Sequence, residues 1–252
     1  MDIGEIPTME EIKQRMDGYD LPEDTSELLL KDFDARKPPG LVGQVARWIE
    51  SQCRYPREYL SAAAALSVVG NIANTHYDDE SQGAYPNLYV MCVAGSSTGK
   101  DAVLKATHTL YREVGEISKV NSSIKSEQEL VRNIVRQGRS HYVIDELGLL
   151  LDKINKGGAS GAHYLMGVKA LLMTGYSSSG DYFKLGGDMS IDVEKETLRE
   201  IGQVQKIIEH NEDKSGKAGG RLKELEDRLE NLDKGIPDCY MSVFGVTTSI
   251  RS

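Results

Sequence analysis

The chain has 252 residues, 39% hydrophobic and 27% charged, with a net charge of −9. It can therefore bury a sizeable core, and its surface as a whole is too acidic to grip nucleic acid by phosphate neutralisation. No apolar run approaches the roughly 20 residues that cross a bilayer, and the acidic start Met1-Asp2-Ile3-Gly4-Glu5 does not read as a secretory leader, so no membrane partner and a cytoplasmic location are expected.

Cys53, Cys92 and Cys239 lie far apart, and neither they nor the five histidines show metal-ligand spacing. Neither a zinc site nor a disulfide framework is expected. Residues 1–37 read as an acidic N-terminal arm, with a short helix opened by the Thr8/Glu11 capping box and running to about Met16, and an apolar patch at Leu28-Leu29-Leu30.

Lys37-Pro38-Pro39-Gly40 forms a boundary, because two prolines forbid helix there. Residues 38–84 then read as a helical brace. Leu41, Val45, Trp48 and Ile49 recur at helical spacing to about Cys53; after Pro56, the small apolar run Leu60 to Val69 predicts a helix buried on most sides. No chemistry is expected of the brace. Asn74 to Asn87 reads as a loop whose Tyr77 and Tyr85 cover a core edge more readily than they stack on a base.

Residues 85–252 read as the catalytic core. Leu88 to Val93 is strand-like; it gives way to Ala94-Gly95-Ser96-Ser97-Thr98-Gly99-Lys100-Asp101 and then to helix-compatible Ala102 to Val114. At such a strand-loop-helix junction the first helical N–H groups have no intrahelical partner, and together with the helix dipole they make a socket for phosphate. Gly95, Ser96, Ser97, Thr98, Gly99, Lys100 and Asp101 are the expected nucleotide-binding residues, with Lys100 on the β and γ phosphates. Two positions depart from the usual G-x-x-x-x-G-K-[ST] pattern. Ala94 stands where the first glycine belongs, so the turn is expected to begin at Gly95. Asp101 replaces the hydroxyl that binds Mg²⁺; its carboxylate can also hold the ion, but it adds negative charge beside a triphosphate, so weaker or more Mg²⁺-dependent nucleotide binding is expected.

Ile117 to Asn121 is a short strand candidate, and the Ser126/Glu129 capping box opens a helix to about Gln137. His141-Tyr142-Val143-Ile144-Asp145-Glu146 is a buried-type strand ending in two acids. Asp145 is expected to hold Mg²⁺, with Asp101 as a second candidate, and Glu146 to polarise the attacking water. Leu147 to Ile154 and Leu165 to Met173 read as helices, and the Ser/Gly-rich stretch Tyr176 to Asp188 as a loop carrying Lys184. Residues 191–234, with Ile201, Val204 and Ile208 and then Leu222, Leu225, Leu229 and Leu232 at helical spacing, predict a helical hairpin that projects from the core. Its tip carries Lys214, Lys217 and Arg221; a solvated spacer is the expected role. Cys239 to Val246 is the last strand, and Thr247 or Thr248 at its tip suits sensing a γ-phosphate.

A Gly-Lys loop followed by an Asp-Glu strand resembles the pattern of the additional-strand, catalytic-glutamate class of P-loop NTPases. The sensor strand of that class lies between the loop strand and the acid strand, with a fifth strand on the far edge. No fifth strand is legible here, so a truncated chain with an open edge at its first core strand is expected. The order of landmarks resembles the RecA-like ATPase and helicase modules of phages and mobile elements, including primase-helicases. Pro38-Pro39-Gly40-Leu41, Tyr85-Pro86-Asn87-Leu88-Tyr89, Ile144-Asp145-Glu146-Leu147-Gly148 and Phe244-Gly245-Val246-Thr247-Thr248 carry that resemblance. It implies an α/β parallel sheet with flanking helices, hydrolysis of ATP with Mg²⁺, and work on DNA during element replication. Homo-oligomers, a primase or other replication partner, and single-stranded DNA contacts largely outside this segment are implied with it. A nucleotide-binding scaffold or loader that hydrolyses little is the alternative.

Overall fold

Four stretches rich in β-branched and aromatic residues lie side by side as β1 (Tyr89–Val93), β2 (Val120–Asn121), β3 (Arg139–Asp145) and β4 (Tyr240–Thr247). All pair in parallel, in the order β1-β4-β3-β2. The computed structural model describes residues 34–74, 85–95, 98–156, 165–210, 216–237 and 239–248. The expected N-terminal helix, the Leu28–Leu30 patch, Tyr77, Ser96, Ser97 and Lys214 lie outside these residues.

Every residue of β4 is buried, as a strand with neighbours on both edges and helices on both faces requires. It sits between the loop strand and the acid strand, the order expected from the sequence. Val93 is level with Thr247 and Asp145 with Val246, so three strands end together. Among the described residues β1 pairs only with β4, and Met91 and Val93 are 50% and 60% exposed on one side of its pleat.

One face of the sheet is covered by α1 (Gly40–Ser51), α2 (Glu58–Ala73) and α3 (Lys100–Glu113). Ala46, Ile49, Ala62, Ala65, Val103 and Ala106 pack there on Val143, Phe244 and Val246. Glycines let the flanking chain approach both helices closely: Gly43 of α1 lies against the Pro38 carbonyl and Gly70 of α2 against that of Pro86. The inward set of α1 is Gly43, Ala46 and Ile49, whereas Leu41, expected inside, is 60% exposed.

The other face carries α4 (Glu127–Gln137), α5 (Leu147–Lys156), α6 (Val168–Ser177) and the start of α7 (Gly187–Glu209), packed on Tyr142, Ile144, Met241 and Val243. The Ser126 hydroxyl caps α4 by accepting from the Glu129 N–H at 3.1 Å, while Glu129 accepts from Lys125 N–H at 2.8 Å. α7 and α8 (Ala218–Glu230) form the hairpin, which begins earlier than its apolar repeat suggested. It is also less free than expected. Glu196 and Glu200 of α7 pair with Arg132 and Arg136 of α4, and Arg221 of α8 reaches Glu200 at 3.0 Å, so its base lies along the core. No helix among the described residues is long and apolar enough to cross a membrane.

Where α2, α3 and β3 meet, a polar network is buried. The Tyr111 hydroxyl donates to Asn71 Oδ1 at 2.9 Å, so it accepts from His141 Nδ1–H at 2.7 Å. His141 Nε2 in turn accepts from the Ser67 hydroxyl at 2.8 Å. Both ring nitrogens are used by the neutral imidazole, and burial, reinforced by His108 and Arg139, pushes the His141 pKa down to about 3. The unfolded chain takes up a proton near the ordinary histidine value, but the folded chain does not. This contribution to stability is whole above about pH 6.5 and is lost as pH falls toward 3. Denaturant unfolding at about pH 7.5 and about pH 5 is expected to show a loss on the order of 1 to 2 kcal/mol that His141→Gln abolishes; an equal loss in the variant would rule this histidine out as the cause.

Candidate nucleotide site

At the carboxyl end of the sheet, β1 runs into the glycine loop. Ala94 still pairs with β4, its N–H donating to the Thr247 carbonyl at 2.8 Å, so the chain leaves the sheet only at Gly95, as Ala94's ordinary backbone predicts. Gly99, the residue before α3, has φ +80°, a left-handed backbone that favours glycine. No side chain caps α3; the Ala102 N–H donates to the Gly99 carbonyl at 3.1 Å, which leaves those of Lys100 and Asp101 without a partner among the described residues.

Lys100 opens α3 and is buried. A cation is disfavoured at a helix N-terminus, and burial works further against its charge. Two carboxylates outweigh both effects. Lys100 Nζ lies 2.9 Å from Asp145 Oδ1 and also bonds Glu146 Oε1, and these partners hold the ammonium above its ordinary pKa.

Alternation along β3 puts Asp145 on the same side as His141 and Val143, the side of α3. Continued extension would send Glu146 to the opposite side. Instead Glu146 has φ 55°, unique among the non-glycine residues described, and its carboxylate turns back to Lys100. Such a backbone costs about 1 to 2 kcal/mol and persists only where surroundings enforce it. Here the Glu146 N–H donates to Asp145 Oδ1 at 2.9 Å, and the Glu146 carbonyl accepts from Leu149 at the start of α5. Glu146 Oε2 accepts from the Thr248 hydroxyl at 3.2 Å and, at 3.4 Å, from the Thr248 N–H and the Thr247 hydroxyl. Its pKa is held below the usual carboxylate range, first by Lys100 and then, against burial, by Thr248. Gly148 belongs to the same construction, since a Cβ there would stand 2.6 Å from Thr247 Oγ1.

Lys100, Asp145, Glu146, Thr247 and Thr248 therefore meet, although they come from three separate parts of the chain. Thr98, in the loop, has a buried hydroxyl without a hydrogen-bond partner among the described residues. Asp101 goes elsewhere. It is exposed and lines a hollow on the outer side of α3 with Gln52 and Lys105, and no three His, Cys, Asp or Glu side chains among the described residues form a metal cage. Asp145, half exposed, lies beside Glu146 and keeps its ion pair with Lys100. Lys184 is exposed next to the Phe183–Ile236 bridge and Tyr85 packs on Tyr240, both at the start of β4 and away from this end of the sheet.

The brace contributes a group the sequence reading left out. Arg57, at the start of α2, donates from Nε to the Thr98 carbonyl, and its guanidinium lies beside Gly99. The available signal was a cation at a helix start, where the dipole favours an acid.

No protein-family model, curated protein or solved structure matches the chain.

Lys100→Met removes the largest cause of the lowered Glu146 pKa. Side-chain carboxyl NMR, with Glu146→Gln for assignment, is expected to show Glu146 titrating at higher pH in that variant; an unmoved titration would mean that the pair does not form in solution.

Proposed function

We propose that this chain is a P-loop NTPase of the RecA-like, catalytic-glutamate class, which binds and hydrolyses ATP with Mg²⁺ to drive DNA unwinding or translocation in the replication of a phage or mobile element. The observation that carries the nucleotide reading is the convergence of Lys100, at the N-terminus of α3, with Asp145 and Glu146 at one end of a parallel sheet. Carboxyl ends of parallel strands are where such sheets bind ligands. The DNA half of the proposal rests on the resemblance of the motifs.

In this reading the free N–H groups of α3 and the Lys100 ammonium bind the β and γ phosphates. Asp145 holds Mg²⁺, which when bound neutralises charge along those phosphates. Glu146 orients the attacking water and takes its proton, while Thr247 and Thr248 fix the carboxylate and reach toward the γ-phosphate. Phosphate oxygens compete with Glu146 for Lys100. As they take the ammonium over, Glu146 loses the strongest cause of its lowered pKa and becomes a better base.

One observation favours the second reading, a nucleotide-binding scaffold or loader that hydrolyses little: Asp101, where a Mg²⁺-binding hydroxyl is usual, faces the outer hollow. Phosphate release with and without single-stranded DNA separates the two. Hydrolysis stimulated by DNA is expected, falling by about 100-fold or more in Glu146→Gln with ATP binding retained. Parent and variant equally inactive, yet both binding ATP, would establish the scaffold.

A further inference from the structure

The hollow that takes Asp101 is about 460 Å³ and lies between the end of α1 and the outer face of α3. It begins at Gly99, the last residue of the phosphate loop, so a triphosphate seated on α3 would have the hollow directly beside it. The floor is apolar, made by the partly exposed Ala102, with Ala106, almost wholly buried against the sheet, one turn further along α3. The rim is polar, with the Gln52 amide, the Asp101 carboxylate, the Lys105 ammonium and the Thr109 hydroxyl.

The rim groups are available to a ligand. Asp101 and Lys105 are one helical turn apart, the spacing of a helix ion pair, yet neither has an ion-pair partner among the described residues. The Gln52 Nε2 donates to Ser51 Oγ at 3.0 Å, which leaves its carbonyl oxygen open to a donor among the described residues. Thr109 donates to the Lys105 carbonyl at 3.0 Å and keeps its own lone pairs. An alanine floor admits a flat ring, and a carboxylate beside it accepts from hydroxyls.

We propose that this hollow is the nucleoside subsite of the triphosphate site, with the base over Ala102 and the ribose hydroxyls donating to Asp101. The inference rests on the nucleotide reading above and assigns Asp101 to sugar recognition rather than to the metal. It also makes the brace, through Gln52, one wall of the site.

Calorimetric titration of the full chain with the Mg²⁺ complexes of ATP, 2′-deoxy-ATP and inorganic tripolyphosphate tests it. ATP is expected to bind about tenfold tighter than either of the others, because tripolyphosphate lacks the nucleoside and the deoxynucleotide lacks one donor to Asp101. Asp101→Asn is expected to bring the ratio of ATP to 2′-deoxy-ATP affinity to about one. Lys105→Trp, on the exposed side of α3, fills the hollow and brings the ratio of ATP to tripolyphosphate affinity to about one. Ratios that stay at their parental values in both variants would overturn the subsite. ATP and tripolyphosphate binding equally to the parent, with both lost in Lys100→Ala, would overturn the subsite and leave the phosphate site standing. Binding of neither ligand to the parent would overturn both.

Discussion

A buried ammonium shared between two carboxylates is the contact around which this end of the molecule is arranged. Lys100 carries its charge at a helix N-terminus and out of water, two settings that each disfavour it. Asp145 and Glu146 reverse that balance only because they arrive from a strand whose end is level with the loop. A lysine there without acids would be expelled to solvent, and the acids without the lysine would repel one another. Each side of the contact therefore depends on the other being placed by the sheet.

The sheet supplies the placement through β4. Inserted between β1 and β3, it separates the loop from the acid strand by one strand's width and brings Thr247 and Thr248 to the gap. It also sets the direction from which Glu146 is held. The left-handed turn at Glu146 brings neighbouring acids, which alternation would place on opposite faces, onto one ammonium. Hydrogen bonds from Thr247 and Thr248, together with the helix that starts at Leu147, maintain that turn against its backbone cost. A bent strand end also gives the two acids different surroundings, Asp145 half exposed and Glu146 held by Thr247 and Thr248.

The helices that precede the core belong to the site as much as to the fold. α1 and α2 cover one face of the sheet with small side chains, and this close packing brings Arg57 to the Thr98 carbonyl and Gln52 to the outer hollow. On the opposite face, the base of the hairpin is tied to α4 by Glu196 and Glu200, far along the chain from the loop. Among the described residues the brace thus touches the glycine loop directly, through Arg57, whereas the ion pairs of the hairpin base run to α4.

Much of this was legible in the residues alone. The run Leu88 to Val93, the glycines around Lys100 and the acids closing His141 to Glu146 identify a loop, a helix start and a strand end by local backbone chemistry, and local chemistry is what a linear pattern records. The Ser126 cap and the leucine spacing of 222 to 232 are local in the same sense. Tertiary packing decided the rest. Periodicity assigned Leu41 to the inside of α1, but the carbonyl of Pro38 against Gly43 and the core shared with α2 select Gly43, Ala46 and Ile49. The destination of Asp101, the reach of Arg57, and the turn of Glu146 back onto Lys100 each depend on a surface brought up from elsewhere in the chain. Spacing along one segment carries no information about which side of a helix or strand a distant segment will occupy.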